Sequence, residues 1–313
     1  MLFFIFSFLY SFSAYGQRGI LYGGIRFFLL YKSLRLWYNE IVNMFFKSGI
    51  GVLPSKKFVE RDLSMKILKS LYEKSKIWFA VSWIIAYCLL MSLGDGFSSM
   101  LGVEKSVTLV IGLSLSLLLL WFLKANGLFE EYGLCRPIAT ARSMLFYIPI
   151  LLMLTANFWH GATLNYSIME TILYILAMLC VGFLEEIIFR GLLFNAMKQD
   201  NMRLAVIVSS LTFGIGHIIN LVNGSGAELI PNLLQVIYAT SAGFMFVMMY
   251  CKEGSLITCI LAHGIFNSLS AFTKEATAPE NMRIISCVLL TLITSLYAVY
   301  LALTLKEKSN EQE

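Results

Sequence analysis

Residues 168–191 read IMETILYILAMLCVGFLEEIIFRG. From Thr171 to Leu184 no side chain is charged, and the apolar ones cover every face of a helix rather than one stripe. A helix that is apolar all round belongs inside a large protein or in lipid. A bilayer core of roughly 30 Å asks for about 20 such residues, and Ile168–Phe189 supplies that length. The span then closes on two adjacent carboxylates, Glu185 and Glu186, with the guanidinium of Arg190 four residues beyond the second.

Working outward, the whole chain has the same character. Of 313 residues, 58% are apolar and only 14% charged, and mean hydropathy is +0.75. A soluble domain carries about 25% charged and 45–50% apolar residues. A chain this long with so few charges cannot cover a soluble surface, and the same figures exclude disorder and collagen-like structure. The fold class expected is an all-α polytopic membrane protein with about eight spans. They run roughly Ile77–Leu93, Val107–Leu123, Met144–Trp159, Ile168–Phe189, Leu204–Ile219, Leu229–Tyr250, Ser255–Phe272 and Ile284–Leu305. Pro149 and Pro231 fall inside or at the start of spans, where neighbouring helices satisfy the freed carbonyl. No repeat of 20–50 residues and no low-complexity tract is present.

The net charge of +5 is informative by location. From Met65 on, alternate loops hold Lys66, Lys69, Lys74, Lys76, Lys124, Arg136, Arg142, Arg190, Lys198, Arg203, Lys252, Lys306 and Lys308. The others hold only Lys105, Lys274 and Arg283. Basic residues collect on the cytoplasmic side, so both termini are expected in the cytoplasm of what reads as a bacterial cell membrane. No basic stripe suits nucleic acid. Cys88, Cys135, Cys180, Cys251, Cys259 and Cys287 form no CxxC pair and read as buried small hydrophobes.

Residues 1–64 stand apart from the body at 65–313. Met1–Tyr15 is apolar but short for a span, and no basic stretch precedes it as a secretory signal would require. Residues 25–32 mix basic and aromatic side chains, as a helix lying in the interface does. Alternatively the native start is Met65, from which four lysines lead into the first span.

Ionisable groups inside spans cost about 2.5–3.5 kcal/mol each on insertion scales and are read first as functional. Glu186 and Arg190 share a helical face at a spacing suited to an ion pair, while Glu185 points about 100° away. Alone, this motif would be the solvated end of a helix. Two further spans carry Phe213-Gly214-Ile215-Gly216-His217 and His263-Gly264-Ile265-Phe266-Asn267, and these hold two of the chain's three histidines. Phe213 with His217, and His263 with Asn267, each lie on one face. Gly214, Gly216 and Gly264 would let backbones approach closely. A lone intramembrane histidine is more often an interhelical hydrogen bond than a catalyst.

Together the groups are chemically sufficient for hydrolysis. A carboxylate and an imidazole polarise water and move its proton, and a second imidazole with an amide donates to an oxyanion. Glu185, His217 and His263 could equally hold zinc with an open position. There is no HExxH helix and no Gly-x-Ser-x-Gly elbow. A non-catalytic scaffold or immunity regulator of the same fold is the alternative. So, less strongly, is a proton-coupled transporter relaying through Glu185 and His217.

Glu185-Glu186-x-x-x-Arg190, Phe213-x-x-x-His217 and His263-x-x-x-Asn267, in this order on spans, resemble the signature of the CPBP family of intramembrane endopeptidases. That family includes the CAAX prenyl proteases and the bacterial Abi proteins. Leu134-x-Arg136-Pro137 resembles an upstream element, so the likeness covers Tyr132 to Phe272. It implies an eight-helix body with a cytoplasm-facing site. Glu185 with His217 would activate water, and His263 and Asn267 would stabilise the oxyanion unless His263 completes a metal site. Glu186 and Arg190 would support the first carboxylate. Zinc and metal-free chemistry are both compatible with the likeness. It implies a membrane-embedded or lipidated peptide substrate, or a bacteriocin-like peptide.

Overall fold

Among the described residues a helix falls at each of the eight expected positions, and six of these are long and apolar enough to cross a membrane. The computed structural model describes residues 66, 68–221, 228–274 and 278–310, with backbone alone for 306–310. The expected interfacial helix and the alternative start at Met65 lie outside the described residues.

Local signals set the helix ends. A short helix over 68–74 stops at Ser75, whose hydroxyl accepts from Trp78 N and opens α1, Lys76–Leu101. Gly102 closes α1 in the left-handed conformation, as a helix end favours. Helix α2 is Ser106–Ala125. A capping box between Ser167 and Glu170 starts α4, Ile168–Met197. Asn201 caps α5, Met202–Gly216. Then come α6, Leu229–Glu253, and α8, Glu280–Asn310. With α5 carried on to Leu221 by a 3-10 turn, these six are long and apolar enough to cross a membrane.

The third and seventh elements are shorter. Leu145, Phe146 and Tyr147 adopt positive φ, which breaks the third expected span and leaves α3 at Ile148–Thr155. Helix α7 is Ile257–Leu269, extended to Phe272 by a 3-10 turn. Pro149 and Pro231 both sit in first turns, where no intrahelical N–H is lost.

Glycines bring the site-bearing helices together. A Cβ on Gly182 would lie 2.5 Å from Gly264 N, so the backbones of α4 and α7 touch. A Cβ on Gly214 would lie 2.8 Å from the Thr240 backbone on α6. Gly216 has nothing within 4 Å of such a Cβ, so its expected packing role is not present. Gly182, unnoticed in the sequence, takes that role instead.

The two ends of the bundle differ. The loop 126–141 lies across the end where α1 begins and α6 ends. There Tyr132 is buried, Leu256 N donates to Gly133 O (2.8 Å), and Ser255 Oγ donates to Cys135 O (2.6 Å). Ile138 N donates to Glu253 O (2.9 Å). At the other end, 161–165 runs beside 271–274 through Thr163 N to Phe272 O (2.8 Å) and an isolated bridge of Ala162 with Thr273.

Candidate active site

The π-helical turn is where the site begins. After Glu185, α4 continues as π-helix from Glu186 to Phe194, with every residue buried. Such turns are rare inside α-helices and are frequent at functional sites. Glu186 and Arg190 form the expected pair, with Arg190 Nη1 donating to Glu186 Oε1 at 3.0 Å and both fully buried. The Arg190 guanidinium also lies over the Phe213 ring, 4.0 Å from its centroid. That contact explains the phenylalanine of the second motif, because an aromatic face stabilises a desolvated cation.

His263 joins the two carboxylates. Its Nδ1 is 2.8 Å from Glu186 Oε1, and its Nε2 is 3.4 Å from Glu185 Oε2. Both carboxylates therefore reach one imidazole from adjacent positions whose backbone is α-helical (φ −65°, ψ −42° at each), because the ring lies between their two directions. Phe246 stacks on the ring at 5.7 Å and Phe213 meets it edge-on at 5.6 Å. The other Glu185 oxygen, Oε1, accepts from the Tyr87 hydroxyl at 2.6 Å. Glu185 Oε2, Glu186 Oε2, Arg190 Nε and Arg190 Nη2 are buried without a hydrogen-bond partner among the described residues.

His217 begins the 3-10 turn after α5. Its carbonyl accepts from Asn232 Nδ2 at 2.8 Å, and its ring meets Phe213 at 5.4 Å. No hydrogen bond joins it to Glu185 among the described residues. The two instead line one cavity of about 570 Å³, which Tyr87, Phe189 and Asn267 also border. His263 borders a smaller adjoining void of about 40 Å³ with Phe213, His217 and Asn267. Glu186 and Arg190 line neither. The six expected residues thus divide into a cavity set and a buried support.

Among the described residues no three His, Cys, Asp or Glu side chains are grouped as metal ligands. Glu185 and His263 approach each other, and His217 does not close a triad with them. Tyr87, Phe246 and Asn232 were missed in the sequence. A tyrosine in the middle of an apolar span was the one signal for Tyr87; the other two carry no local pattern.

Residues 167–269 match the family model of the Rce1-like, type II CAAX prenyl endopeptidases. No curated protein matches the chain. The match contains all three motifs and bears out the resemblance read from them. With six apolar helices of spanning length, it points to an integral membrane protein of the CAAX-type intramembrane protease kind.

Proposed function

We propose that this chain is an intramembrane endopeptidase in which Glu185 activates the attacking water. The observation that carries this is the Glu185 carboxylate on the wall of the 570 Å³ cavity. Tyr87 holds one of its oxygens, and the other, at 3.4 Å from His263 Nε2, makes no hydrogen bond among the described residues. Glu186 fixes His263 through Nδ1, as an orienting carboxylate does in hydrolytic triads.

Charge balance supports the same division of labour. Glu185, Glu186 and Arg190 together leave one negative charge, and buried charge is costly unless balanced. Glu186 is paired with Arg190, which leaves Glu185 as the carboxylate that faces the cavity without a guanidinium partner. In the reaction, water gives a proton to Glu185 and its oxygen adds to the substrate carbonyl carbon. His217 and Asn267 border the space where the oxyanion forms, and an N–H from either stabilises it. The proton then passes to the leaving amine nitrogen as the C–N bond breaks. Every step uses side chains of this chain, and none is routed through a metal.

The substrate is a peptide segment associated with the membrane. The test compares peptides released in membranes carrying wild-type protein or Glu185→Gln at equal folded amounts. New peptide termini confined to the wild-type sample are expected. Identical profiles would refute the proteolytic reading and leave the scaffold alternative standing.

A further inference from the structure

The cavity does not open toward the end of the bundle that holds the basic loops. Its outer lining comes from Asp95 late in α1, Lys105 before α2, His160 before α4, Asn220 after α5, Thr273 after α7 and Arg283 early in α8. In an antiparallel bundle these positions all fall at one end, where α1 finishes and α8 starts. The opposite end is sealed. Ser255, Leu256 and Cys259 are 0% exposed and Ala262 is 4%. The loop 126–141 is bonded over them through Gly133 and Cys135.

Among the described residues the sealed end carries most of the basic residues. Arg190 drops out of the loop inventory, being fully buried in the site, yet Lys66 to Lys76, Lys124, Arg136, Arg142, Lys198, Arg203 and Lys252 remain at that end. The open end has Lys105, Lys274 and Arg283. Lys105 is moreover held by Asp95 at 2.7 Å. Basic loops orient a membrane protein with that side in the cytoplasm. Lys76 at the start of α1 and the last residues of α8 both lie at the sealed end, so a cytoplasmic position for that end puts the cavity mouth on the other side.

We propose that substrate reaches Glu185 from the non-cytoplasmic side, so that the cleaved class is a translocated or secreted peptide segment rather than a lipidated cytoplasmic carboxyl terminus. This rests on the proteolytic reading for what happens at Glu185, but the direction of the opening is testable without catalysis. Ile219→Cys places a thiol at the cavity mouth, and Gln199→Cys places one in the exposed turn at the sealed end.

Intact cells are treated with a membrane-impermeant maleimide, with wild-type protein setting the background from native cysteines. Ile219→Cys should label as fully in intact cells as after permeabilisation, and Gln199→Cys only after permeabilisation. The reverse pattern would overturn the proposal. A peptide substrate added to sealed vesicles should be cut by right-side-out vesicles, and cleavage by inside-out vesicles alone would also overturn it. Absence of cleavage in both orientations would count against the protease reading, while the maleimide pattern still decides the direction of the opening.

Discussion

Two polar clusters lie within the apolar bundle, and they are built differently. At the α1–α2 hairpin, Asp95 Oδ1 accepts from Lys105 Nζ and Thr108 Oγ1, each at 2.7 Å. Ser98 Oγ accepts from Val107 N at 3.0 Å and lies 3.2 Å from Thr108 Oγ1. Acid meets base there, and the hydroxyls meet backbone groups. Around Glu185, Glu186, Arg190 and His263, four side-chain N and O atoms are buried with no hydrogen-bond partner among the described residues. Buried polar atoms are nearly always paired, and the exceptions call for an explanation. The hairpin cluster locks a turn. In the second cluster Glu185 Oε2 belongs to a residue on the cavity wall and keeps capacity for a reacting molecule, while the unpartnered atoms of Glu186 and Arg190 lie behind it.

The comparison is broken most severely at His263. His263→Ala removes the imidazole between both carboxylates, and cleavage should fall about 10²–10⁴-fold, the range of a general acid–base group. Rates measured on detergent-purified protein check this. Near-wild-type turnover would place His263 outside the chemistry. Glu186→Gln and Arg190→Gln should act on folding first, because breaking a fully buried pair costs about 3–5 kcal/mol. The expected signs are a lower yield of monodisperse protein and weaker activity. The double variant should be no worse than the poorer single one, since partners in one pair are not additive. Additive losses in thermal unfolding would show that they act apart.

Smaller changes sharpen the contrast. Gly182→Ala drives a methyl into the α7 backbone, and overpacking of this kind costs about 1–3 kcal/mol. Gly216→Ala meets open space and should stay within about 0.5 kcal/mol of wild type. Equal thermal shifts for the two would remove the α4–α7 contact from the account. Ser98→Ala, in the hairpin cluster, should cost about 1 kcal/mol and leave the cleavage rate unchanged. A slowed rate at full occupancy of the fold would erase the distinction between the two clusters.

Much of this was legible in the sequence, for identifiable reasons. Long apolar runs foretold the helices, and i,i+4 spacing foretold the Glu186–Arg190 bond and the Phe213–His217 contact. Short-range periodicity failed where backbone geometry departs from the α-helix. The α-helix gives way to a π turn from Glu186, and the left-handed residues 145–147 shorten α3. It failed again for contacts made across the bundle. Tyr87 is 98 residues from Glu185, and Gly182 meets Gly264 on another helix. Neither partner leaves a mark near the other in the chain. The charge count carries only an expected orientation, and the residues that line the cavity are gathered from several separate parts of the chain, which no local pattern could relate to it.

The division between cavity set and buried support is tested most directly by exchanging the two neighbouring carboxylates for amides, one at a time. Purified wild type, Glu185→Gln and Glu186→Gln are compared for peptide cleavage, with thermal unfolding measured on the same samples. Glu185→Gln should unfold near the wild-type temperature while its cleavage falls about 10²–10⁴-fold, the loss expected for a missing general base. Glu186→Gln should lose stability together with activity. A Glu185→Gln protein that turns over normally, beside a Glu186→Gln protein that is well folded and inactive, would contradict the account.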